Sequence, residues 1–455
     1  MRLSPAAKSF ALVVALGALL AGCAGGAQIT PPGGLGAAFH ARAMGSSDDV
    51  LYAFTDASTD GYQPYGDPVE DSKGALYGTT SEGSGNDGDV WKLTPSGKTY
   101  KETALYKFAS NRKAGAAPEA GLVMDSSGAL YGTTSTGGSG SCGCGVIFAL
   151  TPKGTSYTES TLYDFGTSSG KDGAASVAAL TLSGSELFGV TNNGGSGACT
   201  ETPPGCGTVF EISTKGTGYK VLYDFKGGKD GAYPQSSVIV GKGGVLYGVT
   251  ANGGGSKVCP AGCGTAFSLT PKGGKYTESV LWRFAAGSGT DGEIPSRGRG
   301  LYLASDDTLV GTTTVGGSGS CAILFVSGCG VVFALTPKGK SYTESIPYTF
   351  QGGTDAQEPN EELTPGKGGV LYGTGSLAGG GAACTVGCGV IFELTPAKSG
   401  YTESIVYSFQ AGKDGARPYG GVIVDKSGDL LGTTSLGGGS THCGSGCGTV
   451  FEMKP

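Results

Sequence analysis

Glycine makes up about a fifth of this 455-residue chain (89 residues), charged residues only 15%, and the net charge is −6. No Gly-X-Y period runs through it, which argues against a collagen-like rod, and an acidic balance with no basic stripe argues against nucleic acid as a partner. Glycine alongside 21 Tyr and 17 Phe, with Val and Thr, reads instead as many short strands joined by tight turns.

Residues 1–22 read as an address and not as part of the fold. Arg2 and Lys8 open it, and residues 10–21 form an apolar core of about a dozen residues, too short to span a bilayer permanently. The segment ends in Leu20-Ala21-Gly22-Cys23, which resembles the bacterial lipobox; the resemblance implies cleavage before Cys23 and lipidation of that cysteine. Ala24 follows, and Asp is absent there, so the same resemblance implies anchoring in the cell envelope at the outer membrane, periplasmic or surface-exposed. Residues 23–47, rich in Gly, Ala and Pro, read as a lipidated flexible tether, which leaves 48–455 for the folded domain.

Three strings then recur seven times. Leu76-Tyr77-Gly78-Thr79-Thr80 returns, with drift, from Leu130, Leu187, Leu246, Leu309, Leu371 and Leu430, at spacings of 54 to 63 residues. A Gly-Val/Thr-x-Phe-x-Leu-Thr-Pro string follows, seen at 145–152, 264–271, 330–337 and 389–396. Leu-Tyr-x-Phe starts at Leu51, Leu105, Leu162, Leu222, Leu281, Pro347 and Val406, with Pro in place of Leu at 347. In the second unit, 121–124 reads as a short apolar strand, 129–134 as an alternating one, 146–150 as a third and 157–165 as a longer, more polar fourth.

Four consecutive antiparallel strands make a propeller blade. The expected fold is therefore all-β: a seven-bladed β-propeller of four-stranded antiparallel blades, with the least polar strand at the centre and the most polar at the rim. The chain ends on the third strand of its last unit, and the missing fourth-strand string stands ahead of the first unit at Val50-Leu51-Tyr52-Ala53-Phe54. An N-terminal strand completing the last blade would remove the free edges of a linear array. A β-solenoid, the structural alternative, has no use for such a permuted unit.

These strings resemble the GloVer tandem repeat of bacterial extracytoplasmic proteins over residues 49–455, and the strand layout is similar to NHL-type and streptogramin-lyase-type propellers. The resemblance implies architecture and location but brings no established activity.

Apart from Cys23, twelve cysteines fall as one local pair per unit in units two to seven: Cys142/Cys144, Cys199/Cys206, Cys259/Cys263, Cys321/Cys329, Cys384/Cys388 and Cys443/Cys447. In an exported chain such pairs read as disulfides pinning the loop between strands two and three. A zinc site needs four converging ligands, which one pair per blade does not supply, so no metal is assigned to them. Cys142/Cys144 is the open case, because a single intervening residue demands strained geometry.

That loop should open on the same face as the connection from strand four to the next strand one, where a Lys/Thr-Asp-Gly-x-x-Pro string recurs. Its acids are Asp60, Asp172, Asp230, Asp291, Asp355 and Asp414, with Ala114-Gly115 in the second unit. A ring of acids can bind calcium, the one cofactor considered, or sugar hydroxyls; Asp-Gly is equally good turn chemistry, which is the preferred reading. Tyr62, Tyr65, Tyr233 and Tyr419 lie outside the repeated strings, in or near this face, as candidate stacking residues for sugar rings. The two histidines, His40 in the tether and His442 in a loop, assemble no triad. Trp91 and Trp282 are too few for the Trp-marked blades of quinone-dependent dehydrogenases. The expected function is a non-catalytic binding or scaffold module, monomeric, with a protein or polysaccharide at the long-loop face and the membrane touched through lipid alone. The alternative is a carboxylate-based hydrolase or lyase on that same face.

Overall fold

Thr449–Met453, the last strand of the chain, pairs antiparallel with Val50–Ala53, the first, and so closes a ring of seven antiparallel sheets. The structure, a computed structural model, describes residues 50–455 except 57–59, 84, 167–169, 201–202, 260, 286–290, 297, 299, 324–325 and 380–383. The signal segment, Cys23, the tether and His40 lie outside the described residues.

The second blade sets the pattern: Val123–Met124, Leu130–Thr133, Val146–Lys153 and Ser156–Asp164, each paired to the next. Its third strand runs on through Pro152, which faces Tyr157, because Gly154 and Thr155 alone make the turn. In the fifth and sixth blades the innermost strand is split into two segments, Gly292–Pro295 with Leu301–Leu303 and Ala356–Pro359 with Thr364–Pro365. The innermost strands are thus very short, and side chains extend what their ladders lack. Thr79 donates to the Ala120 carbonyl of the next blade, Thr374 to that of Gly420, and Thr433 to that of Gly66, which closes the circle.

There is no single core. Seven apolar clusters fill the seams between neighbouring blades. Each seam holds the Phe of a Leu-Tyr-x-Phe string against the aromatic ring of the next blade's third strand. Phe108–Phe148, Phe165–Phe210, Phe225–Phe267, Phe284–Phe333, Phe350–Phe392, Phe409–Phe451 and Phe54–Trp91 have ring centroids 4.9–5.8 Å apart, and every one of these rings is fully buried. Such a pair adds about 0.5–1.5 kcal/mol beyond the burial of its area.

The glycine of Leu-Tyr-Gly-Thr-Thr exists for this packing. A Cβ at Gly78, Gly132, Gly189, Gly248, Gly311, Gly373 or Gly432 would lie 2.3–2.6 Å from the third-strand ring of its own blade. The fourth strands are not wholly a solvated rim. Ser156, Thr158 and Ser160 face water, while Tyr157 and Glu159 turn into the seam. Among the described residues no helix is long and apolar enough to cross a membrane.

Candidate functional site

The recurring aspartates sit at the long-loop end of the seams, where each closes a turn. Asp60, Asp172, Asp230, Asp355 and Asp414 accept hydrogen bonds of 2.8–3.0 Å from the hydroxyls of Tyr52, Tyr163, Tyr223, Tyr348 and Tyr407, the tyrosines of the preceding Leu-Tyr-x-Phe strings. Each also accepts a backbone N–H just past that strand, from Thr55, Gly166, Lys226, Gln351 and Gln410 respectively. Asp291 follows Trp282, which has no hydroxyl; it takes the N–H groups of Ala285 and Gly292 and hydrogen-bonds to Glu344. These carboxylates are anchored in the frame, in the manner of Asp-Gly turn chemistry.

Across four of the seams a glutamate on the fourth strand of the next blade, in Tyr-Lys-Glu-Thr or Tyr-Thr-Glu-Ser, brings a second carboxyl. Burial and the neighbouring Asp60 and Asp89 push Glu102 up to about 7, and burial with Asp230 pushes Glu278 to about 7. Glu344 and Glu403 are raised further, by burial and by hydrogen-bonded Asp291 and Asp355. Two carboxyls at hydrogen-bonding distance hold one proton between them. The exceptions agree with this logic. Glu159, facing Ala114 where the aspartate is missing, is raised by burial without an aspartate beside it. Opposite Asp172 the glutamate position is taken by Tyr219, whose hydroxyl bonds to the Asp172 carbonyl.

All six cysteine pairs form disulfides, Cys142/Cys144 included. Six covalent bridges place the chain in an oxidising, extracytoplasmic compartment. The second cysteine of each pair has a further task that its spacing does not reveal. Its carbonyl accepts the N–H of a residue in the next blade's Asp-Gly-x-x-Pro connection, the one just before the proline or its equivalent. Ala175, Tyr233, Ile294, Glu358, Arg417 and Gln63 are held this way by Cys144, Cys206, Cys263, Cys329, Cys388 and Cys447, at 2.8–3.3 Å. In the first blade, which has no cysteines, Asp87 takes the place and holds Ala117, while its carboxylate pairs with Arg112 at 2.9 Å.

All seven held residues are left-handed, with φ of 52–59°. A non-glycine residue in that region is uncommon, and here it recurs seven times with seven differing contexts. Gln63, Ala117, Ala175, Tyr233, Ile294, Glu358 and Arg417 thereby ring the mouth of the axial channel on one backbone pattern. Only Tyr233 among them is a candidate from the sequence; the residues share a conformation and, in six of the seven, a following proline, but no side chain of their own.

Inside this ring Tyr65 and Tyr419 lie side by side, with centroids 5.5 Å apart. Below them an axial cavity of about 20 Å³ is lined by Asp67, Glu119 and Glu361 among glycines and alanines. At the tight-turn end the channel widens to about 400 Å³ between Val69, Leu122, Met124, Leu180, Leu182 and Ile239. Tyr62 donates to Glu82 at the outer edge of the mouth. His442 is exposed in its loop, and Trp91 is a seam residue. Asp425, Asp429 and Glu452 also converge, but Asp425 uses its carboxylate on the Ser427 and Asp429 amides of a turn.

The Gloeobacter/Verrucomicrobia repeat matches residues 15–259, 197–386 and 259–455. The chain belongs to that repeat family. No curated protein matches it. Among solved structures, an ancestral GH74 enzyme shares the fold at a TM-score of 0.51 and 10% identity, over 87% of this chain and 49% of that one, so this chain spans about half its length. A putative 6-phosphogluconolactonase from Bacteroides uniformis aligns at a TM-score of 0.48 and 16% identity, over 79% of this chain and 88% of that one. Each of these matches spans several blades of the ring, in which the three recurring strings supply the seam rings and the glycine beneath them, and the Asp-Gly connection supplies the turn-closing aspartate.

Proposed function

We propose that this protein is a lipid-anchored, extracytoplasmic binding or scaffold propeller, tethered through Cys23 and engaging a polysaccharide or protein partner at its long-loop mouth. The observation that carries this reading is the ring of seven left-handed residues. One backbone pattern holds Gln63, Ala117, Ala175, Tyr233, Ile294 and Arg417, all half-buried, in turn around the axis, with Glu358 buried at the seventh place. Variable side chains on an invariant frame are how recognition surfaces are built. Tyr233 and the Tyr65–Tyr419 pair add ring faces suited to sugars.

The second reading, a carboxylate hydrolase or lyase, rests on Asp67, Glu119 and Glu361 lining one cavity. That cavity has room for about one water, far below the volume of a sugar ring, so the binding reading is preferred.

The test is glycan-array and envelope-extract binding by the disulfide-intact chain, beside a Tyr65→Ala/Tyr419→Ala double variant and an Arg417→Ala variant. Binding lost in these variants with unchanged Tm supports the mouth as the site. Turnover of a bound glycan, abolished by Glu119→Gln, would favour the second reading. A Cys23→Ser variant that leaves the membrane fraction would support the anchor; one that stays would overturn it.

A further inference from the structure

In the seam that closes the ring, one third-strand position carries an acid that no other blade has there. In the register that sets Thr80 opposite Asp89, the other blades carry Val146, Thr208, Thr265, Val331, Val390 and Thr449 at the third-strand position. In three of them the two facing threonines bond to each other at 2.8–2.9 Å, as Thr191–Thr208, Thr250–Thr265 and Thr434–Thr449. Asp89 is only 1% exposed, and both of its carboxylate oxygens are buried with no hydrogen-bond partner. An isolated buried carboxylate is among the costliest groups a protein can hold.

Thr80 is anomalous in a second, independent way. In five other blades the matching threonine donates to the carbonyl two residues on, at 2.9–3.0 Å. The Thr80 hydroxyl, fully buried, makes no such bond and stands beside Gly61, next to Asp60. From the neighbouring strand Glu102 turns in a buried, unpartnered Oε1, within electrostatic reach of both Asp60 and Asp89. Two facing carboxyls can share a proton, as Asp291 with Glu344 and Asp355 with Glu403; a third cannot join them in that way. Lys107, across the ladder from Asp89, attracts both Asp89 and Glu102.

We propose that the closing seam is a binding site for one hard divalent cation of the calcium class, with Asp60, Asp89 and Glu102 as carboxylate ligands and the Thr80 hydroxyl as a neutral one. Oxygen-only donors with several negative charges suit calcium over zinc or copper. The acid oxygens are not all within 4.8 Å of one another, so the ion draws the three groups inward. It thereby ties the N-terminal connection, through Asp60, to the third and fourth strands of the first blade. This is the blade that lacks a disulfide. The site is separate from the mouth, and the binding reading above does not depend on it.

The test uses terbium, a luminescent calcium analogue, because Trp91 lies two residues from Asp89 and can sensitise its emission. The purified full chain, stripped with EDTA, is titrated with terbium and then with calcium. The expected result is a single saturable rise in Trp-excited emission, reversed by calcium at about 10⁻⁴–10⁻³ M as in extracellular modules. Calcium should also raise Tm by about 3–5 °C. Asp89→Thr, which restores the threonine pair of the other blades, should weaken terbium emission at least about tenfold and abolish the calcium shift while keeping the fold; Glu102→Gln should weaken both. Absence of saturable emission and of any Tm shift in the native chain, or emission undiminished in folded Asp89→Thr, would overturn the proposal.

Discussion

Tyr219 lies face to face on Tyr163, with ring centroids 3.6 Å apart and planes 9° from parallel, in the one described seam where a tyrosine replaces the glutamate. The two rings come from adjacent blades, and Asp172 bonds to both, through its side chain to Tyr163 and through its carbonyl to Tyr219. Stacking here does what a shared proton does elsewhere. Tyr219→Glu should remove the stack and place a buried carboxyl against Asp172, costing about 2–3 kcal/mol at pH 8 and distinctly less at pH 5. Urea unfolding at the two pH values reads this directly, and an equal loss at both would contradict the proton-sharing account.

Stability should fall as pH rises through neutrality. Glu102, Glu278, Glu344 and Glu403 all have folded pKa values raised above the ordinary 4.5. Below that value folded and unfolded chains both keep these protons, and the stabilisation is fully present. As pH climbs, the unfolded chain releases them first, and stability declines until the folded groups titrate, near 7 for Glu102 and Glu278 and higher for the other two. Tm measured from pH 5 to 9 should therefore decline, and Glu278→Gln should flatten part of that slope between 4.5 and 7. A Tm that climbs with pH would refute the assignment.

Gly248→Ala should destabilise the chain by about 1–3 kcal/mol, because the added Cβ would stand 2.6 Å from the Phe267 ring. Gly444→Ala is the control: it has open space, and its backbone is not left-handed. Denaturant midpoints of the two variants should differ accordingly.

Reduction should loosen the mouth before it opens the ring. The aromatic seams contain their own packing, whereas the loops spanned by Cys199–Cys206 and Cys321–Cys329 depend on their bridges. Limited proteolysis after reduction should cut within these loops while the far-UV dichroism persists. Each lost bridge should cost about 2 kcal/mol.

The ring and its closure were legible because the repeated strings are side-chain requirements. A ring on strand three demands glycine on strand two, and both recur in every unit. The disulfides were legible for the same reason. The Asp–Glu pairs were not, since Tyr-Thr-Glu-Ser reads as an exposed edge, and only the curvature of the ring brings Glu278 beside Asp230 of the preceding connection. The left-handed residues escaped notice because Ala175, Ile294 and Arg417 share a backbone conformation and nothing in their chemistry. Asp89 was hidden by its acid-rich surroundings, where Asn86 and Asp87 are ordinary loop residues.

The pairing of Val50–Ala53 with Thr449–Met453 also sets the order of assembly. A strand delivered first across a membrane waits about 400 residues for its partner, the longest sequence separation in the ladder. Six blades can form as they emerge, since each is a local meander, but the cooperative step is deferred to the final strand. Contacts of such range fold slowly. Until that strand arrives the first strand is an unpaired edge, open to pairing with a neighbouring copy. Loss of the last strand would therefore release both ends of the chain at once, and turn a closed ring into an open, aggregation-prone array.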